Sequence, residues 1–262
     1  ELLPQMSTVK SPELITGSLI KHYCLDSKDR NQNDIFTVAI APCPSKKFEA
    51  QRQEMTHRGM PDIDAVMTTR ELSRLIKLYG IDVENIEPED SDDPFKISSS
   101  AGKLPASVGG TGEAVARTLY HTITGNDMTT AKISKLRGTK DQKEAKVKIG
   151  DTQVQILSIS PLTNIEKVLS DIQKGKVKYH YVEVMACPGG CVNGGGQPFQ
   201  QNEKSIRNRM KAVQNMDDKS SQKFAHKNIS AQKFFAERFD KPLSEKSLKM
   251  LHTKFTKRDV LL

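Results

Sequence analysis

Thiolates bind soft metals, and this chain places two of its four cysteines in one dense run. MACPGGCVNGGGQP (185–198) sets Cys187 and Cys191 four residues apart. Pro188, Gly189 and Gly190 lie between them, and Gly194, Gly195 and Gly196 follow. Glycine amides beside thiolates can donate to sulfur or to anionic ligands without side-chain obstruction. Cys43, in APCPSKKFEA, lies 144 residues earlier in the chain. Both Cys43 and Cys187 end apolar runs with strand character, and loops leaving strand ends build the binding clefts of open α/β sheets. Lys46 and Glu49 follow Cys43, a cation that could donate to an anionic ligand and a carboxylate that could pass protons. Spacing alone leaves three readings open. These are an iron–sulfur or other metal site, structural zinc, and inert buried cysteines, although zinc favours Cys-x2-Cys over the Cys-x3-Cys found here. Cys24 ends PELITGSLIKHYC beside Ile20 and Tyr23, which reads as a core position rather than a ligand.

The elements that must hold these residues follow from periodicity. FTVAIAPC (36–43), DIDAVMTT (62–69) and YHYVEVMAC (179–187) read as strands, the last as a buried one. AKVKI and TQVQI flank Gly150-Asp151 as a hairpin. In TTRELSRLIKLYG, Thr69 is the expected cap, Leu72, Leu75, Ile76 and Tyr79 share a face, and Gly80 ends the helix. PELITGSLIKHYC, EAVARTLYHTITG and NIEKVLSDIQKG read as helices too. Residues 201–256 read as mostly helical, with a polar break near Asp217 and Asp218 and another at Lys241-Pro242. The expected fold is α/β: two lobes with mixed sheets flanked by helices, the site in the cleft between them, and a helical C-terminal tail. The acidic, then Ser- and Gly-rich stretch 83–112 is the expected connection, dividing a first lobe (1–100) from a second (101–262).

Composition narrows the classes. The chain has 262 residues, 36% hydrophobic and 27% charged, which argues for a globular protein. It has no apolar run long enough to span a membrane. Net charge is +8, and the last 22 residues carry six Lys or Arg against Glu245 and Asp259. Aromatic residues are not interleaved with the lysines and no base-reading motif occurs, so nucleic acid is not the expected partner. Four cysteines without a secretory signal are expected to stay reduced.

MACPGGCVNGGGQP closely resembles the third signature of the [FeFe]-hydrogenase catalytic domain, and APCPSKKFEA resembles the second, Met-Pro-Cys-x-x-Lys-x-x-Glu. ELLPQMSTVKSPE, DIDAVMTTREL, EAVARTLY and KPLSEKSLKMLHTKF match in order along the rest of the chain. The resemblance implies that Cys43, Cys187 and Cys191 hold the H-cluster, a four-iron cubane joined to a diiron site with carbonyl, cyanide and a bridging dithiolate. It implies that Lys46 and Ser45 reach a cyanide, that Met185 packs against the diiron unit, and that Ser7 and Glu49 lie on a proton route. Pro42, Gly189 and Gly190 would border the cofactor. The implied reaction is reversible reduction of protons to dihydrogen with electrons from ferredoxin, after maturation proteins install the diiron site. The compartment stays open between cytoplasm and a hydrogenosome-like organelle. The family's first signature, Thr-Ser-Cys-Cys-Pro, which supplies the remaining cubane ligand, is expected just before Glu1. Three positions depart from the pattern: Ala41 stands where methionine is usual, Gly112 replaces a pocket methionine, and Glu13 sits where glutamine is common. A non-catalytic hydrogenase-like iron–sulfur protein, used in hydrogen sensing or cluster assembly, is the alternative these departures favour.

Overall fold

The computed structural model describes residues 3–25, 34–57, 59–90, 98–198, 202–239 and 241–256. In chain order its elements are α1 (Pro12–Leu25), β1 (Val38–Ala41), α2 (Ser45–Ala50), β2 (Thr56–His57), β3 (Met60–Pro61), β4 (Ala65–Thr68), α3 (Thr69–Leu78), α4 (Gly110–Thr124) and α5 (Thr130–Ile133). They continue with β5 (Gln142–Ile149), β6 (Thr152–Ile159), α6 (Ile165–Gln173), β7 (Tyr181–Val184), α7 (Glu203–Lys219), α8 (Ile229–Phe239) and α9 (Glu245–Leu251). The fold is mixed α/β, with several small sheets flanked by helices. It forms two compact units, residues 1–80 with 234–262, and residues 81–233. No described helix is long and apolar enough to cross a membrane.

In the first unit, β1 pairs in parallel with β4, from Val38 opposite Ala65 to Ala41 opposite Thr68. The core gathers Leu14, Ala50, Met55 and Ile63. Gly17 lets α1 approach the chain closely, since a Cβ there would lie 2.3 Å from the Asp62 carbonyl oxygen. Two lysines of the N-terminal segment and α1 anchor the loop before β4. Lys10 donates to Asp62 at 2.6 Å with both side chains buried, and Lys21 donates to Asp64 at 2.8 Å. The C-terminal segment returns to this unit: Val9 bridges His252, and the Thr253 amide donates to Thr8. The cap of α3 is Thr68, one residue before the expected Thr69. Its hydroxyl accepts from the Glu71 amide while Glu71 accepts from the Thr68 amide, and that reciprocal box requires the three-residue spacing. Leu75 and Tyr79 are exposed, so the apolar face read for α3 is not buried within the unit.

In the second unit, β5 and β6 form the expected antiparallel hairpin around Gly150, which sits at φ 58°. β7 joins β6 in parallel. It is an edge strand rather than a fully buried one, so Val184 is exposed and the residue that turns inward is Glu183. Residues 143, 145, 147 and 149 of β5 face a core with Ala116, Ile133, Leu136, Val154 and Ile156. Gly112 faces the same core. A Cβ there would come within 3.0 Å of Ile156 Cγ2 and 3.2 Å of Ser158 Oγ, so close helix–sheet packing leaves that position without room for a methionine.

The helical tail breaks just past Asp217 and Asp218, where α7 ends at Lys219 and α8 begins only at Ile229. Both aspartates lie in the last turn of α7, and Asp217 is fully buried. A buried carboxylate must be paired. Asp217 accepts from Arg117 at 2.9 and 2.7 Å, from Ser100 Oγ at 2.6 Å, and from Arg137. Arg117 also donates to Glu113 at 2.5 Å, and Arg137 bridges Glu113 to Asp218. Burial by itself would raise the Asp217 pKa, but the hydrogen bonds from Arg117 and Ser100, with the charge of Arg117, bring it down to about 2. Its stabilisation is therefore complete above the unfolded value near 3.8 and is lost as pH falls through about 2. Asp217→Asn, which leaves two guanidinium groups underpaired, is expected to cost about 3–5 kcal/mol in urea unfolding at neutral pH. The gap between wild type and variant should narrow across that acid window.

Candidate functional site

The residues implied as site residues fall into two clusters, one in each unit. In the first, β1 ends at Ala41, half-buried Pro42 follows, and Cys43 leads into α2 through Pro44, the helix N-cap at φ −66°. The Cys43 carbonyl accepts from the Lys46 amide at 3.3 Å, which winds the chain directly from thiol to helix. Cys43 is half-buried and in no disulfide, and Ser45 is exposed at the start of α2. Lys46 points its ammonium between two carboxylates, 2.7 Å from Glu13 on α1 and 2.5 Å from Glu49 one turn along α2. Burial by itself would lower the Lys46 pKa, but hydrogen bonds and charge from Glu13 and Glu49 outweigh it and raise it. The ammonium is held charged within a pair of acids whose net charge it does not cancel. Lys47, on the next position, reaches Glu71 at 2.6 Å and so ties α2 to the capping box of α3. Ser7 stands apart from this cluster: it is exposed, and its hydroxyl accepts from the Val9 amide at 3.3 Å.

The second cluster is built on a turn. The Met185 amide donates to Ile159 and prolongs the β6–β7 pairing by one residue. Cys187, Pro188, Gly189 and Gly190 then form a β-turn closed by the Gly190 amide on the Cys187 carbonyl at 3.0 Å. Proline at the second position and glycine with φ 76° at the third are the residues a type II turn selects. A short 3-10 turn, Cys191–Asn193, follows. Cys187 and Cys191 are half-buried and in no disulfide. Gly190 is required twice over. Its φ is 95°, and a Cβ would lie 2.7 Å from both the Val108 amide nitrogen and Met185 Sδ. Met185 packs with Val108, Val192 and Met210.

A polar layer holds this turn against residues 107–111. The Gly189 amide donates to Asp141 at 2.8 Å, and its carbonyl accepts from the Val108 amide at 3.1 Å. Glu183 accepts from the amides of Gly109 and Thr111 at 2.9 and 3.2 Å, placing a carboxylate at the α4 N-terminus. Buried Lys143 donates to the Val108 and Gly138 carbonyls at 2.6 and 3.0 Å. Burial pushes its ammonium down to about 8, against the opposing charges of Glu183, Asp141 and Glu113. Sequence reasoning missed Asp141, Lys143 and Glu183. Two of them carried a usable signal, a charge at an inward register position of an alternating strand.

Of the implied residues, the structure brings Lys46 and Glu49 together near Cys43, and Met185 and Gly190 together beside Cys187 and Cys191. Glu13, noted only as a departure from glutamine, joins Lys46. Cys24 lies in α1, and its side chain is outside the described residues. In the second unit, half-buried Cys187 and Cys191 on a glycine turn are thiol donors of the kind that suits a thiolate-ligated iron–sulfur group, and half-buried Cys43 in the first unit is a donor of the same kind.

A family model described as the C-terminal domain of the iron-only hydrogenase large subunit matches residues 1–195, and one described as the iron hydrogenase small subunit matches residues 203–258. The chain is 35% identical over its whole length to the NADP-reducing hydrogenase subunit HndD of Solidesulfovibrio fructosivorans, covering 45% of that protein. It is 30% identical over 82% of its length to cytosolic iron-sulfur assembly component 3 of Pongo abelii, covering 46% of that protein. It therefore spans about half the length of these curated relatives. Among solved structures, apo [FeFe]-hydrogenase HydA1 from Chlamydomonas reinhardtii matches with a TM-score of 0.82 at 28% identity, over 97% of this chain and 71% of that one. The chain belongs to the iron-only hydrogenase family.

Proposed function

We propose that Cys43, Cys187 and Cys191 ligate an H-cluster and that the chain forms part of a catalytic hydrogenase, interconverting protons and dihydrogen with electrons from ferredoxin. The observation that carries this reading is the Lys46 ammonium, held charged between Glu13 and Glu49 one helical turn from the Cys43 thiol. Two carboxylates within hydrogen-bond reach of that ammonium support a proton-handling role beside the cluster. When bound, the cluster would relay the carrier's electrons and supply the iron chemistry by which dihydrogen is made or split. Lys46 donates to an anionic ligand of the cluster. Glu49 and Glu13 are the carboxylates placed to pass protons beside it. Met185, packed on Val108 and Gly190, keeps water from the cysteine turn. The positive net charge suits an acidic electron carrier.

A second reading, a non-catalytic role in iron–sulfur assembly or hydrogen sensing, is favoured by Gly112, whose surroundings admit no methionine, and by Ala41. The likeness to an iron–sulfur assembly component points the same way.

Infrared spectroscopy after anaerobic maturation separates the two. Carbonyl and cyanide bands together with hydrogen evolution are the expected result, and an iron–sulfur absorption without those bands would establish the second reading. Lys46→Met is expected to lower hydrogen turnover by at least about 100-fold while iron content stays within error of wild type. Gly190→Ala brings a Cβ against the Val108 amide in a conformation that alanine resists. It is expected to destabilise the protein by about 1–3 kcal/mol in urea unfolding and to reduce iron retained per chain.

A further inference from the structure

Away from every cysteine, the second unit carries a cluster that the hydrogenase chemistry does not use. His121 sits in the last turn of α4, where Gly125, at φ 70°, caps the helix and reverses the chain. That reversal brings Asp127 back toward the helix end. His226, in the short turn Ala225–Lys227, arrives from the other side, 99 residues later. Asp127 Oδ1 lies 3.0 Å from His226 Nε2 and 3.7 Å from His121 Nδ1. One ligand atom from each of the three residues fits within a 4.8 Å span. One feature is costly for a purely structural cluster: His121 Nδ1, itself an atom of the site, is buried with no hydrogen-bond partner among the described residues, beside a His226 side chain that is 92% buried. The two imidazoles stack at 4.0 Å, so their rings lie side by side next to Asp127.

We propose that His121, Asp127 and His226 form a second metal site, which takes a divalent first-row transition ion of the zinc and cobalt class. Metal–ligand bonds of about 2.0–2.1 Å at tetrahedral angles give ligand-to-ligand edges of about 3.3 Å, between the two edges seen at Asp127 Oδ1. Two imidazoles and one carboxylate oxygen suit a borderline ion better than calcium or magnesium, which take oxygen ligands. Asp127 binds through one oxygen only, because Oδ2 is already paired with Lys227. His121 and Asp127 are about one-third exposed, which leaves a face for water as the fourth ligand. Binding rotates the rings out of their stack, since lone pairs in parallel planes cannot meet at one ion. The site is independent of the cysteines, so its failure leaves the hydrogenase reading untouched.

The test is cobalt(II) binding to the full chain by equilibrium dialysis, with absorption spectra of the bound ion and circular dichroism as the folding control. The expected result is one equivalent of cobalt whose visible bands carry no sulfur-to-metal charge transfer. His226→Gln should weaken its binding at least about tenfold. His121→Gln, at a more exposed position, should weaken it similarly and guards against misfolding of the first variant. Cobalt bound only with sulfur charge transfer, or binding unchanged in His121→Gln with the fold intact, would overturn the proposal.

Discussion

A carboxylate buried away from water has to be matched by cations, and in residues 81–233 that requirement organises the structure. Asp217, at the end of α7, is met by Arg117 from α4 and by Arg137 from the segment before β5. Glu113, one turn before Arg117, shares both guanidinium groups. The network therefore fixes α4 against α7 and fixes the rotation of α4 about its axis. With α4 set, its N-terminal amides meet Glu183 from β7, while Lys143 holds the Val108 carbonyl. The Val108 amide in turn donates to the Gly189 carbonyl. The cysteine turn is thus positioned by a chain of polar contacts that begins at an ion network far along the sequence.

The first unit reaches a similar end by different means. Lys10 and Lys21 fix the loop that enters β4, and the capping box of α3 is linked through Lys47 to α2. Helix α2 then presents Cys43 at its start and Lys46 within its first turn. Lys46 is poised because Glu13 arrives from α1. The same position as glutamine would remove one of the two charges that keep the ammonium protonated.

Local chemistry was legible in the sequence. The hairpin at Gly150-Asp151, the type II turn Cys187-Pro188-Gly189-Gly190 and the stop at Gly80 each follow from residues whose backbone demands are narrow. The cysteine motifs were legible because their spacing carries chemistry. What could not be read was pairing across sequence distance. Asp217 sits beside a real break, the end of α7, but nothing nearby in the chain announces that Arg117 and Arg137 will bury it. Glu13 and Lys46 are likewise partners only after folding. Residues 234–262 group with 1–80 for the same reason, through contacts such as Val9 with His252 that no periodicity encodes. Lys143 and Glu183 were readable in principle, since each places a charge where alternation asks for an apolar side chain.

The measurement that bears most directly on the thiolate assignment is iron and acid-labile sulfide content after anaerobic reconstitution, made on the wild-type chain and on Cys43→Ser, Cys187→Ser and Cys191→Ser. Iron and sulfide are expected in wild type, with a clear loss of both in each variant. Iron content unchanged in all three variants, or zinc bound in place of iron, would contradict the assignment.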